Sequence, residues 1–233
     1  MNALCFLLGD SRVRALNREN VNIIKSWSIP GAKLYDLYEV VEGELSTALE
    51  EADEPPIVYV MAGICDLTYR IKRRCRGSPI DEVIIPPLES INEVIDHSKN
   101  AIDDLSRFIF RHGGIPNFCT IYPMALGDWN QHRLNKGKTT ILTKADEYHQ
   151  MQTKLEEMIC EINGEIINTN RANKLQTPLI HKCLEHNRGK NKPVTYKYNL
   201  LQDGCHPSPK LAKIIAKSLN KTITLNKASI RYA

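Results

Sequence analysis

Ala3-Leu4-Cys5-Phe6-Leu7-Leu8-Gly9-Asp10-Ser11-Arg12-Val13-Arg14-Ala15-Leu16 joins a short apolar run to a segment able to form a helix. The run from Ala3 to Leu8 has the length of a buried strand. Gly9-Asp10-Ser11 then falls at a strand-to-helix turn. A serine placed there points its hydroxyl out of the sheet edge. Backbone N–H groups at the helix start can hold an anion beside it. Acyl transfer asks both things of a nucleophile. Small polar residues also occupy turns for backbone reasons alone, so the tripeptide needs support from elsewhere. The far end of the chain supplies it. Asp203-Gly204-Cys205-His206 puts an acid three residues before a histidine, ahead of a last helix. A base and a carboxylate to orient it are the partners a nucleophilic serine lacks.

Outward from Ser11, strand and helix patterns alternate. Val21 to Ile24 reads as a second strand, and Trp27 to Ala32 as a loop containing Gly31. Residues 33–50 carry Leu34, Leu37, Tyr38, Val41, Leu45 and Leu49 at helical spacing. Ile57 to Met61 is a β-branched apolar run that ends at Gly63-Ile64-Cys65-Asp66. Ser90 to His112 bears one apolar stripe, with Ser90 and Glu93 in a capping-box arrangement. Ile115 to Tyr122 reads as a fourth strand and Pro123 to Thr140 as a polar loop. Residues 143–162 form a second amphipathic helix, Glu165 to Asn168 a fifth strand, and Leu211, Ile214, Ile215 and Leu219 line a final helix. Such alternation argues for a parallel sheet covered on both faces, with its site at the carboxyl ends of the strands. Ser11, Gly31 and Cys65 all fall just past a proposed strand or in the loop after it.

The 233 residues are enough for a real core. A net charge of +4 implies neither nucleic acid nor membrane by itself. The seven cysteines are scattered without a C-x-x-C pair, as reduced thiols are. No apolar stretch reaches membrane-span length. The first apolar run ends at Gly9 with no basic residues before it, so a signal peptide is not expected and a cytoplasmic protein is. Arg70, Lys72, Arg73, Arg74 and Arg76 cluster within seven positions, and Arg188, Lys190 and Lys192 form a second group. Each reads as a solvated loop or, more sharply, as a weak contact for nucleic acid or another polyanion. His181, Cys183 and His186 with Cys205 or His206 match no common zinc spacing, so no metal is implied. No glycine-rich phosphate motif supports a nucleotide cofactor. Cys65 as a nucleophile would lack a second base.

Four blocks in order, Gly9-Asp10-Ser11, Gly31, Gly63-Ile64-Cys65-Asp66 and Asp203-Gly204-Cys205-His206, resemble the SGNH hydrolases, the GDSL-type esterases and lipases. The resemblance implies a three-layer α/β/α sandwich with a mainly parallel sheet of about five strands, flavodoxin-like, over residues 1–221, with 222–233 as a tail. It implies Ser11 as nucleophile, His206 as base and Asp203 as orienting acid, with no cofactor. The backbone N–H groups of Ser11 and Gly31 would serve the oxyanion. The family's third block reads Gly-x-Asn-Asp, and this chain has Cys65 where the donor asparagine stands. A thiol is a weak donor, so reduced turnover of an ester is expected. A domain kept for binding a polyanion is the alternative. Tyr122-Pro123-Met124, Trp129-Asn130 and Lys138-Thr139 more loosely resemble SGNH-type domains of mobile elements, including DIRS and Ngaro retrotransposons.

Overall fold

The computed structural model describes residues 4–75, 78–137, 143–186 and 194–231. Four parallel strands form the central sheet: β1 (Cys5–Gly9), β2 (Lys25–Ser28), β3 (Ile57–Met61) and β6 (Ile115–Phe118), in the order β2-β1-β3-β6. Between β3 and β6, β4 (Tyr69–Cys75) and β5 (Ser78–Ile84) pair antiparallel as a separate hairpin. The long helices are α1 (Ile91–Arg111), α2 (Leu126–Asn135), α3 (Ala145–Ala172) and α4 (Pro209–Arg231).

Alternation along the strands builds the three layers. Phe6, Leu8, Val58 and Val60 face one core, with Ile102, Leu105 and Ile109 of α1 and Leu155, Ile159 and Ile162 of α3. Cys5, Leu7, Ile57 and Tyr59 face the other, with Val13, Leu16 and Leu211, Ile215 and Leu219 of α4. Both faces of the sheet are therefore covered, as the runs of apolar residues in β1 and β3 require.

Several sequence expectations are corrected. The sheet has four strands among the described residues, not five, because Glu165 to Asn168 lies inside α3. The apolar spacing through Leu155, Met158, Ile159 and Ile162 simply continues to Ile166, which is buried. Asparagines of α3 take over the role of a further strand. Asn170 accepts from the Phe118 N–H at 2.9 Å and donates to its carbonyl at 2.7 Å. Asn163 does the same for Ile121 at 2.6 and 2.9 Å. The open edge of the sheet thus keeps its backbone groups paired. The second strand is Lys25–Ser28 rather than residues 21–24, and Ile24 is exposed. Residues 35–50 form a broken series of short helical turns instead of one helix, with non-helical φ/ψ at Gly43. Ser90 makes no side-chain cap bond. Segment 123–140 contains α2. The basic run beginning at Arg70 is not a loop but β4, while Arg76, Lys138, Thr139, Arg188, Lys190 and Lys192 lie outside the described residues.

Residues 222–231, expected as a tail, continue α4. Ile223 is buried in the second core. Asn226 is fully buried and donates to the Tyr59 hydroxyl at 3.1 Å, while accepting from the Gln176 N–H at 2.7 Å. These contacts tie the last helix to the central strand.

Candidate active site

The site begins where β1 ends. Gly9 is required there by close approach: a Cβ would lie 2.1 Å from the Met61 carbonyl oxygen of the neighbouring strand. Asp10 caps the short helical segment Ser11–Arg18 by accepting from the Arg12 N–H at 2.9 Å. Its carboxylate also receives the Arg12 guanidinium, at 3.0 Å from Nε and 2.7 Å from Nη2. Both residues are almost wholly buried. Arg12 reaches on to the Tyr122 carbonyl at 3.4 Å and lies 4.8 Å from the Tyr122 ring centre. Burial alone would lower the guanidinium pKa, but Asp10 together with Tyr122 and Cys205 outweighs it and the shift is upward. The turn that carries Ser11 is thus bolted from below by a buried ion pair.

The loop before α4 delivers the partners. Gly204 adopts φ +85°, and a Cβ there would sit 2.5 Å from the Trp129 backbone nitrogen. Its carbonyl accepts from the Ala125 N–H at 2.7 Å, which docks the loop onto the start of α2. Asp203 Oδ1 accepts from the backbone N–H groups of Cys205 and His206 at 3.0 and 2.8 Å. Asp203 Oδ2 lies 2.8 Å from His206 Nδ1, and His206 Nε2 lies 2.9 Å from Ser11 Oγ. Ser11, Asp203 and His206, 195 positions apart at the extremes, are brought into one hydrogen-bonded chain. Burial pushes the Asp203 carboxyl up, but the His206 ring and the backbone donors prevail and hold it down at about 2. It stays ionised at neutral pH, so the ring nitrogen facing it carries the proton.

Gly31 and Cys65 line a cleft of ≈ 660 Å³ together with Ser11 and His206. Ile64, Val83, Met124 and Trp129 supply its apolar wall. The Gly31 and Cys65 loops are joined by Asp66, whose carboxyl accepts from the Leu34 N–H at 3.1 Å. Burial raises the Cys65 thiol to about 11, with Asp10 adding to the shift. Cys65 is therefore a thiol at neutral pH, which removes its case as a second nucleophile. Burial also raises the Asp66 carboxyl to about 7, against the Leu34 hydrogen bond that favours its charge.

Asp66 gives the fold a testable pH dependence. Its folded pKa stands above the unfolded value, so between about pH 4 and 7 the native state holds a proton that the unfolded chain has released. Stability falls as pH rises through that window, by on the order of 2 kcal/mol for a half-buried group. Thermal melts of wild type and Asp66→Asn from pH 4 to 8 should converge at the acid end and separate toward pH 8. Parallel curves would remove this role.

Sequence reasoning missed the hairpin that walls the cleft. Val83 of β5 lines it, and Asn130 of α2 anchors Val83 through bonds of 2.9 and 2.7 Å to its backbone. Trp129, beside Asn130, packs its indole 5.6 Å from the His206 ring. Arg70, read from the sequence as part of a solvated basic run, instead binds Asp81 through two bonds of 2.6 Å. His181 pairs with Glu185 at 3.4 Å. Among the described residues no group of three or more histidine, cysteine or acidic side chains is placed to hold a metal ion.

No protein-family model matches this chain, and no curated protein does. Solved structures do. A member of the lipolytic G-D-S-L family from Veillonella parvula superposes with a TM-score of 0.57 at 9% identity, over 95% of this chain and 98% of its own. An acetyl xylan esterase matches with a TM-score of 0.53 at 14% identity, over 93% and 98%. The OSK domain of Drosophila Oskar matches with a TM-score of 0.55 at 12% identity, over 93% and 86%. The chain has the fold of the G-D-S-L lipolytic hydrolases.

Proposed function

We propose that this protein is a serine hydrolase that cleaves a carboxylic ester through an acyl-serine intermediate. The observation that carries the reading is the continuous chain from Ser11 Oγ to His206 Nε2 at 2.9 Å and from His206 Nδ1 to Asp203 at 2.8 Å. Ser11 Oγ attacks the ester carbonyl while His206 Nε2 takes its proton. Asp203 keeps the ring in the tautomer that leaves Nε2 free to accept, and it stabilises the imidazolium that forms. His206 returns the proton to the departing alcohol. Water then attacks the acyl-serine with His206 again as base, which releases the acid and restores Ser11. The tetrahedral oxyanion is met by the N–H groups of Ser11 and Gly31, with the Cys65 thiol as a weak third donor. Hydrolysis of short p-nitrophenyl esters by the wild type beside Ser11→Ala tests the reading. Turnover that depends on Ser11 supports it, and equal rates in the two proteins would count against it.

Cys65 sets an expected gain. An asparagine amide offers the oxyanion a stronger, directed donor, and the benefit arises mostly in the transition state. Cys65→Asn is expected to raise kcat, with an upper bound of about 10²–10³. The pocket has settled around a smaller side chain, so a gain of about tenfold is the working figure. Steady-state kinetics with a thermal melt for folding measures it. A well-folded variant with unchanged kcat would place the oxyanion away from position 65.

A further inference from the structure

The cleft around Ser11 is electrostatically one-sided. Arg14, Lys33, Arg70 and Arg133 all line it, and among the described residues no carboxylate does. Arg70 and Arg133 converge on one acid, Asp81, which accepts from both guanidinium groups. One carboxylate cannot neutralise two guanidiniums, and the Arg133 Nε–H is left buried without a hydrogen-bond partner. Arg14 and Lys33 enter none of the ion pairs formed by the described residues, and both are exposed.

The nearby acids each hold another group, although Asp66 also acts on Lys33 through space. Asp10 holds Arg12, and Asp203 holds His206. Asp36 accepts from the Lys33 backbone N–H, and Asp66 from that of Leu34. Arg14 also lines a smaller groove of ≈ 310 Å³ on the other side of Ser11 and His206, beside Arg18 and Glu19. Cations therefore outnumber carboxylates around the nucleophile on both sides. A neutral ester would leave these cations unanswered as the cleft is emptied of water. An oxyanion would meet charge-assisted donors on entry.

We propose that the ester cleaved at Ser11 carries an oxyanion group, a carboxylate or a phosphate, recognised by Arg14 and Lys33 with the Arg70–Arg133 pair behind them. This deepens the hydrolase reading and rests on it. Recognition is through the substrate's charge and leaves the chemistry at the carbonyl unchanged.

Matched esters test it. Mono-p-nitrophenyl glutarate against p-nitrophenyl butyrate places a carboxylate on the acyl side. 2-Acetoxyethyl phosphate against 2-acetoxyethyl methyl ether places a phosphate on the alcohol side. In at least one pair the anionic ester should have a kcat/KM about tenfold or more above its neutral partner at low salt. The preference should shrink at about 0.5 M salt, where screening is strong. Arg14→Gln and Lys33→Gln should each lower the ratio of anionic to neutral turnover. The acyl-side and alcohol-side arms tell carboxylate from phosphate recognition. Turnover of neutral esters with both ratios at one or below would overturn the inference and leave the hydrolase reading standing. If no ester turns over, calorimetry on Ser11→Ala decides: monomethyl glutarate should bind more tightly than dimethyl glutarate, and equal or absent binding overturns the inference. A wild type whose Ser11 also fails to take a fluorophosphonate removes the hydrolase reading itself.

Discussion

Ser11→Ala is expected to lower kcat/KM for a short ester by about 10³–10⁴-fold. The magnitude follows from how a serine, a base and an orienting acid share one step. A well-equipped site loses about 10⁶ when its nucleophile goes, because the remaining groups have nothing to activate. This site starts lower. On the proposed reading, in which Cys65 is the third oxyanion donor, about 10²–10³ of the usual acceleration would be missing before any mutation. The rate left in Ser11→Ala comes from the remaining oxyanion and binding contacts, so the measurable loss is bounded by the acceleration the wild type starts with. His206→Ala should fall to the same floor, and the double variant should fall no further, since both act in one proton transfer. Asp203→Asn should cost about 10²–10⁴-fold by favouring the wrong ring tautomer. Losses that multiplied in the double variant would mean that Ser11 and His206 serve different steps.

Arg12→Ala should destabilise the fold by about 3–5 kcal/mol, a large share of what holds a domain together. The change leaves the Asp10 carboxylate inside the protein without its guanidinium partner. Water cannot replace that partner, because both side chains are only 2% exposed. The loss also removes the ring contact with Tyr122 and the bond to its carbonyl. Arg12→Lys should recover only part of the stability, since an ammonium cannot present two parallel donors to Asp10 while reaching Tyr122. The double variant Asp10→Asn, Arg12→Met removes both charges together. It should be closer to wild type than Arg12→Ala alone, because the chief penalty is a lone buried charge. Urea unfolding of the three variants measures this. A loss under about 1 kcal/mol for Arg12→Ala would mean the pair is solvated in solution.

The parts of the site carried by short loop patterns could be read from the sequence. Ser11 and the Asp203–His206 loop follow local rules: a strand end, a helix start, an acid three residues before a base. Gly31 and Cys65 were legible as the residues that follow strands, and both line the cleft. What depends on pairing between distant segments was not legible. Lys25–Ser28 is too polar to announce a strand, and it becomes one through its register with Phe6–Gly9. Arg70 to Arg74 look like a solvated run because charge hides the hairpin pairing, in which Arg70 lies opposite Val83. Glu165 to Asn168 is apolar and β-branched at its centre, which suits a short strand. The helical spacing of the preceding residues decides otherwise. Arg12 carries the same lesson inwards. An arginine in a helical segment ordinarily faces solvent, and here the side chain of Asp10 two positions earlier, with Tyr122 far along the chain, draws it into the core.

Fluorophosphonate labelling read by intact mass tests most directly whether Ser11 is an activated nucleophile. The probe needs a serine with a base beside it but no knowledge of the true substrate. One adduct per folded wild-type chain is expected, mapped by peptide digestion to Ser11. It should be absent in Ser11→Ala and slowed by about 10³-fold or more in His206→Ala. A folded wild type that takes no adduct, or takes it at another residue, would mean that Ser11 is not an activated nucleophile.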